Sequence, residues 1–355
     1  MERRRFLAAA GAVGVGGLAG CLGDAGLFET ETTTGREPPL VADRPDAVYV
    51  PTHVEGMEMA GTADVGGLKA AVTYSYPHRF WVVEKDGGEF VTKRVSPTGD
   101  DGVHLMTTVW DPETGHVVPN TGLSVEIARD GELVSQEVVY PMLSQRMGFH
   151  YGANFPLSGD GTYDVTVSVG GVQANRFGSF EGRFTSAASG TVAFEFSERA
   201  LGDVGYRLLE ERQGERAAVR PMEMQMEMGS VPVGRAPETL PGTPLGRGTS
   251  GDAVFLGSVV DDERFGSDPY LVVSPRTPYN RFVVPGMSLT AAVDDRSATP
   301  LAAGLDSELG FHYGAPVGDL SAESSVEVRV ETPPQVARHE GYETAFLEMP
   351  PVELA

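Results

Sequence analysis

The sequence predicts an all-β protein made of two tandem immunoglobulin-like β-sandwich domains with a short helical connector. Three observations carry this prediction. Short segments of alternating apolar and polar residues recur with glycine-containing turns between them. Seven of them fall within about 150 residues, the density expected of a sandwich. A six-residue motif then returns in the second half, which makes that half a copy of the first.

The chain opens Met1-Glu2-Arg3-Arg4-Arg5-Phe6-Leu7, followed by an Ala/Gly-rich apolar run from Ala8 to Gly20. Positive charge before a short apolar run is the pattern of an export signal, and the paired arginines point to the twin-arginine route. The run ends Leu18-Ala19-Gly20-Cys21, a lipobox-like end that places the chain's only cysteine where lipidation needs it. Residues 1–21 are read as the signal, with Cys21 the lipidated residue and the membrane reached through that anchor on its outer face. Residues 22–43, rich in Thr, Glu and Gly, read as a flexible tether.

Leu68 to Tyr76, Arg79 to Glu84, Val103 to Trp110, Leu123 to Ala128, Leu133 to Tyr140, Thr162 to Val169 and Thr191 to Phe196 read as strands. Asp130-Gly131 is a hairpin signal between two of them. These strands place the first sandwich at 44–198. Arg199 to Gln213, with Leu201, Val204, Leu208 and Leu209 at helical spacing, predicts a helix in a connector at 199–218. The second, degenerate copy occupies 219–355.

Gly148-Phe149-His150-Tyr151-Gly152-Ala153 recurs as Gly310-Phe311-His312-Tyr313-Gly314-Ala315. Upstream, Pro77-His78-Arg79-Phe80 is matched to Tyr279-Asn280-Arg281-Phe282, and Val103 to Val109 to Met287 to Val293. On this alignment His78 becomes Asn280, His104 becomes Ser288 and Met106 becomes Thr290, while His150 persists as His312. Imidazole and thioether side chains thus concentrate in the first copy.

Strand alternation puts His104 and Met106 on one face. With His78, Met142 and His150 they form a mixed imidazole and thioether set, which suits copper: thioether favours Cu(I), and imidazole also accepts Cu(II). Iron or another divalent metal is the alternative occupant. Each residue also has a packing explanation, His104 and Met106 as an inward sandwich face and His150 as a turn residue bonded to its loop. His116 is expected to be exposed and irrelevant to the site. With one cysteine and no His-Glu-x-x-His sequence, structural zinc and metalloprotease chemistry are excluded. No nucleophile elbow, P-loop or dinucleotide fingerprint is present, so the chain is read as a binding protein, not an enzyme.

His104-Leu105, Pro141-Met142 and His150-Tyr151-Gly152-Ala153-Asn154 resemble the shared core of the bacterial periplasmic iron-transport lipoproteins. Those are copper-binding immunoglobulin-like proteins encoded beside an iron permease, and this chain resembles a haloarchaeal-type tandem version. The resemblance implies metal ligands at His104, Met142 and His150, a role in iron transport and an iron permease as partner. Two departures stand out. Met106 replaces the acidic residue that the family carries two positions after its first His. The family's late His is absent from the first copy, and His339, after Pro333-Pro334, takes its place in the second.

Met222, Met224, Met226 and Met228 alternate with Glu223, Gln225 and Glu227. As a strand, this ladder would present four thioethers on one face. Two readings stand: a Cu(I) relay, or a half-buried strand with Met as adaptable filler. The expected assembly is a monomeric pseudo-dimer in which His339 or the ladder completes the first copy's site.

Net charge is −23, with 50 acidic against 27 basic residues, and lysine occurs only at Lys69, Lys85 and Lys93. Such acidity fits a high-salt, halophilic setting, where screening shortens electrostatic self-repulsion. It excludes nucleic acid as a partner, since phosphate binding requires clustered Lys and Arg. A metal-free cell-surface interaction module and a copper-resistance chaperone are the remaining alternatives to iron transport.

Overall fold

The computed structural model describes residues 38–354 apart from 158, 227, 228 and 295. The signal, Cys21, most of the tether and Met228 lie outside the described residues. The chain is nearly all β. In the first half run β1 (His53–Glu55), β2 (Glu58–Val65), β3 (Leu68–Ser75), β4 (Phe80–Asp86), β5 (Glu89–Val95) and β6 (Val103–Trp110). Then come β7 (Ser124–Arg129), β8 (Glu132–Val138), β9 (Tyr140–Ser144), β10 (Gly148–Phe155), β11 (Gly161–Val169), β12 (Asn175–Arg176) and β13 (Ala188–Phe196). A short helix, α1 (Glu198–Asp203), precedes β14 (Tyr206–Leu208). The second half holds β15 (Thr243–Ser250), β16 (Ala253–Val260), β17 (Tyr270–Arg276), β18 (Ser288–Val293), β19 (Thr299–Asp306), β20 (Gly310–Pro316), β21 (Val326–Thr332), β22 (Ala337–Arg338) and β23 (Val352–Leu354).

In the first half an eight-stranded sheet ordered β2-β3-β6-β10-β9-β22-β4-β5 and a four-stranded sheet ordered β13-β11-β7-β8 supply the two layers of a sandwich. The second half forms one sheet ordered β15-β16-β17-β20-β19-β18-β21-β23, with β12 paired to β19. One hydrophobic core runs from Val48 through both halves to Leu354. The expected hairpin forms at Asp130-Gly131, where both residues adopt positive φ, 53° and 79°. This is the backbone that Asp-Gly permits most cheaply.

Two strands are exchanged between the halves. In β12 of the first half, Asn175 and Arg176 pair in parallel with Gly304 and Leu305 of β19. In β22 of the second half, Ala337 and Arg338 pair in parallel with Met142 and Leu143 of β9. The two junctions have the same register, so the halves embrace reciprocally, as two subunits do across an isologous interface.

Three sequence expectations change. The helix ends at Asp203, not Gln213. Ser197 caps it through a bond accepted from the Ala200 N–H, but Val204 turns extended and Tyr206–Leu208 pairs with β1. Gly202 and Gly205 lower helix propensity where the helix stops. The segment from Leu133 to Tyr140 divides into β8 and β9, which join different sheets. The methionine ladder is not a strand: its described part is irregular, with a single bridge between Gln225 and Ser230.

The repeat register also shifts. The bridge between Trp110 and Val117 recurs as Arg276 with Val283, so β17, not β18, is the counterpart of β6. β18 instead corresponds to β7, because it pairs with β21 as β7 pairs with β11. The His104 counterpart is therefore Tyr270, not Ser288, and the Met106 counterpart is Val272, not Thr290. The β4–β5 hairpin has no counterpart in the second sheet order, and Asn280 is not the equivalent of His78. The shared Arg-Phe pairs misled the alignment, whereas Val117-Val118-Pro119 and Val283-Val284-Pro285 mark the true register.

Arg338 locks the exchanged strand. Its side chain is fully buried and donates to the carbonyls of Ala345, Pro334 and Phe346. Arg338→Leu should lower unfolding stability by at least about 3 kcal/mol, since three buried carbonyls lose a charged donor. Urea denaturation measures this; a loss under about 1 kcal/mol would show that β22 holds without its guanidinium.

Candidate metal centre

β6, β9 and β10 share one design. Along β6, Val103, Leu105 and Val109 enter the main core, while His104 and Met106 face the other way. Along β10, Phe149, Tyr151, Ala153 and Phe155 enter the core, leaving His150, Gly152 and Asn154 on the second face. Register sets His104 opposite Asn154 and His150 opposite Met142. That second face is also buried, with His339, just after β22, beside His104 and with Met57, Met147 and Met222 packed against Met106. All eight residues of β6 are buried for this reason.

His339 follows β22 directly and reaches the same face. Ring centroids of His78 and His104 are 4.0 Å apart, those of His78 and His339 5.1 Å, and those of His150 and His339 5.3 Å. His104 and His339 are 6.0 Å apart. Gly152 leaves the space between them: a Cβ there would sit 3.1 Å from His104 Nε2 and 3.1 Å from Met142 Sδ. Those two ligand atoms therefore flank one point.

Hydrogen bonds fix the imidazole tautomers. His104 Nδ1–H donates to Asn154 Oδ1 at 2.8 Å, His150 Nδ1–H to the Gly148 carbonyl at 3.1 Å, and His78 Nδ1–H to the Arg79 carbonyl at 3.2 Å. Asn154 is itself held, its Nδ2 donating to the His78 carbonyl. The Nε2 lone pairs are thereby left bare, as metal ligation by histidine requires. Nε2 of His104, His150 and His339 are all buried and find no hydrogen-bond partner among the described residues. Three such orphaned nitrogens would be costly in a structural core.

Burial lowers the basicity of all four rings. His104 and His339 are held well below the usual histidine range, first by burial and then by neighbouring imidazoles. Burial pushes His150 down to about 4 and also lowers His78. The rings are thus neutral at pH 7.

Sequence reasoning missed Glu55, and it noted His53 only as a histidine upstream of the motif. Ligand atoms of Glu55, His78 and His339 lie within 4.8 Å of one another. Burial alone would raise the Glu55 carboxyl, but His53 beside it holds it well below its ordinary range. His53 Nε2–H donates to Glu55 Oε1 at 3.0 Å. Their signal was weak: His53 and Glu55 lie in a three-residue strand, far in sequence from the motif. Arg79 and Glu340 pair at 3.2 Å beside them, tying the C-terminal segment to β4.

The structure gathers His78, His104, Met142, His150 and His339, and separates the others. Met106 lies beside Met147 and Met222, with Met57 and Met224 packed against them. Met226 packs on the main core. His116 is half-buried, not exposed, and its Nε2–H donates to the Ser307 carbonyl of the other half.

The second half shows the same face filled. His312 Nδ1–H donates to the Gly310 carbonyl as His150 does to Gly148, but its Nε2 faces the Tyr270 hydroxyl at 3.4 Å. Tyr270 stands in the His104 position and Gly304 in the Met142 position. A Cβ at Gly304 would lie 2.5 Å from His312 Nε2, so the ring occupies the space a methionine would need. By the reciprocal register, Phe177 holds the place of His339, its ring 6.1 Å from His312. Phe265 and Tyr270, stacked at 4.4 Å, complete an apolar cluster.

Residues 78–193 and 238–355 match the family described as "Domain of unknown function (DUF7350)", and the chain belongs to that family. No curated protein matches the chain in sequence. Two solved structures of FetP from uropathogenic E. coli are similar at 20% identity and a TM-score of 0.30. One is the "as isolated" protein, covering 39% of this chain and 95% of that one. The other, a copper-bound Glu-to-Gln variant, covers 40% of this chain and 92% of that one.

His312 offers a test by pH. Burial pushes it down to about 4, against an ordinary value near 6.5. The unfolded chain therefore binds the extra proton between those values. The stability that depends on the neutral ring is complete above pH 6.5 and is lost as pH falls towards 4. His312→Gln should flatten the acid limb of a stability–pH curve in that window, by roughly 1.4 kcal/mol per pH unit. An unchanged slope would show that the ring protonates freely in the fold.

Proposed function

We propose that this chain is a lipid-anchored, extracytoplasmic copper-binding protein that serves iron uptake, acting as a binding protein and not as an enzyme. The observation that carries the copper reading is the meeting of His104 Nε2 and Met142 Sδ at Gly152, with two further buried, unpartnered Nε2 atoms on the neighbouring rings of His150 and His339. His104, His150 and His339 would hold the metal through Nε2 and Met142 through Sδ, with His78 and Glu55 adjacent. Mixed nitrogen and thioether donors accept both Cu(II) and Cu(I), so bound copper would supply a one-electron couple. The protein's own part is to fix the ring tautomers through Asn154 and the Gly148 and Arg79 carbonyls, and to exclude bulk water with the C-terminal segment.

The iron link and the permease partner rest on the resemblance of the His-Tyr-Gly-Ala-Asn motif and its upstream Pro-Met. Export and anchoring rest on the arginine-rich start, the apolar run and Cys21. Among the described residues no helix is long and apolar enough to cross a membrane. The acidic composition supports a high-salt setting.

Titration with Cu(II) should give a stoichiometric site. His104→Ala, His150→Ala and His339→Ala should each weaken it by at least roughly tenfold, or about 1.4 kcal/mol. Gly152→Ala should weaken it comparably, because its methyl enters the space between His104 and Met142. His312→Ala should leave affinity within about twofold. Equal losses from His150→Ala and His312→Ala would refute the assignment. In the native host, Cys21→Ser should release the protein from membranes into the medium, and a variant that stays membrane-bound would remove the anchor.

A further inference from the structure

We propose that Met57, Met106, Met147, Met222 and Met224 form a second metal site, a thioether cage selective for a soft monovalent cation, Cu(I) or Ag(I). It stands beside the imidazole centre and does not depend on that centre binding copper. Met106, Met147 and Met222 form one buried cluster, and the half-buried Met57 and Met224 pack against it. The five come from separate parts of the chain: the β1–β2 junction, β6, the β9–β10 turn and the irregular segment after residue 220. That segment is fixed by the Met222 N–H donating to the Arg146 carbonyl and the Val231 N–H to the Met224 carbonyl.

A cavity of about 30 Å³ opens here. Met57, Met106 and Met147 line one part of its wall, and His53, Glu55, His78 and His339 line another. It has room for an occupant the size of a water or an ion. A core that used methionine only to fill gaps would be expected to close such a space. Thioethers are neutral and need no deprotonation, and they bind Cu(I) or Ag(I) in preference to hard divalent ions. Exposure grades inward from the half-buried Met57 and Met224 to Met106, only 2% exposed. Met106 in turn shares a strand face with His104, two residues away. The cage therefore lies between the surface and the imidazole rings.

The test uses the full mature chain with Ag(I) as a redox-inert probe and Cu(II) as a separate probe of the imidazole centre. The variant Met57→Leu/Met147→Leu/Met222→Leu/Met224→Leu nearly conserves volume, so it should fold with a similar melting temperature. It should bind one equivalent of Ag(I) fewer than wild type while keeping its Cu(II) stoichiometry. In wild type labelled at the methionine methyls, Ag(I) should shift the resonances of the five cluster methionines. If the fourfold variant does not fold, Met57→Leu/Met224→Leu should still weaken Ag(I) binding at the cluster by at least roughly tenfold. Unchanged Ag(I) stoichiometry and affinity, or methyl shifts confined to Met142, would overturn the proposal and leave the cluster as packing. Ag(I) bound at the cluster in a chain that takes up no Cu(II) would support this site while removing the function proposed above.

Discussion

The structure depends on a reciprocal exchange of two short strands. β22 leaves the second half to lie between β9 and β4 of the first, and β12 leaves the first half to lie on β19 of the second. Each exchange adds a strand to a sheet of the other half and carries the residue after it, His339 or Phe177, onto the face that does not feed the main core. A strand such as β6 is then buried on both sides, so half of its side chains enter a closed compartment with few obvious partners. In the first half that compartment holds imidazoles and a thioether; in the second it holds aromatic rings. Arg338 secures the first exchange by donating to three carbonyls of its own segment, and in doing so it fixes the residue that follows, His339.

The two compartments act as a built-in comparison. Both keep a histidine whose Nδ1 is spent on the carbonyl two residues earlier, so both aim Nε2 into the interior. In the first, Asn154 orients His104 and glycine keeps Met142 close. In the second, Pro316 stands opposite Tyr270 where Asn154 stands opposite His104, so the orienting amide is gone. The Tyr270 hydroxyl then satisfies Nε2 of His312. One ring is left with an unused, buried lone pair, and the other is an ordinary buried polar group with a partner. This difference in hydrogen bonding, more than the retained motif, separates a face with unpartnered nitrogens from a filled one.

Electrostatics follow the same division. The chain carries a large negative charge, yet its buried titratable groups around the first compartment are mostly imidazoles kept neutral by burial and by one another. Glu55 stays charged beside them because His53 donates to it, while the neighbouring Glu340 is paired with Arg79. A cation entering this compartment would meet neutral donors and one negative charge, without having to displace a bound proton at pH 7. The methionine cluster alongside offers uncharged sulfur, which extends the same low-charge lining towards the surface.

The all-β class, the tandem repeat, the Asp130-Gly131 hairpin and the face shared by His104 and Met106 were legible in the sequence, because each depends on short-range periodicity or turn chemistry. His104, Met142 and His150 were grouped by the resemblance of their motifs, and strand pairing sets His104 opposite Asn154 and His150 opposite Met142. What the sequence could not decide was register over long distances. A local match of two Arg-Phe pairs assigned Asn280 and Ser288 as counterparts of His78 and His104, and only strand pairing revealed Tyr270 and an inserted β4–β5 hairpin. Alternation likewise drew the methionine ladder as a strand, whereas tertiary packing bends it so that Met222 and Met224 meet Met57, Met106 and Met147. The sequence offered His339 or the ladder as completing the site, but the choice between them, and the placement of Glu55 and His53, was decided by tertiary structure for one physical reason: they reach the site across strand exchanges and chain separations that no local pattern of side chains encodes.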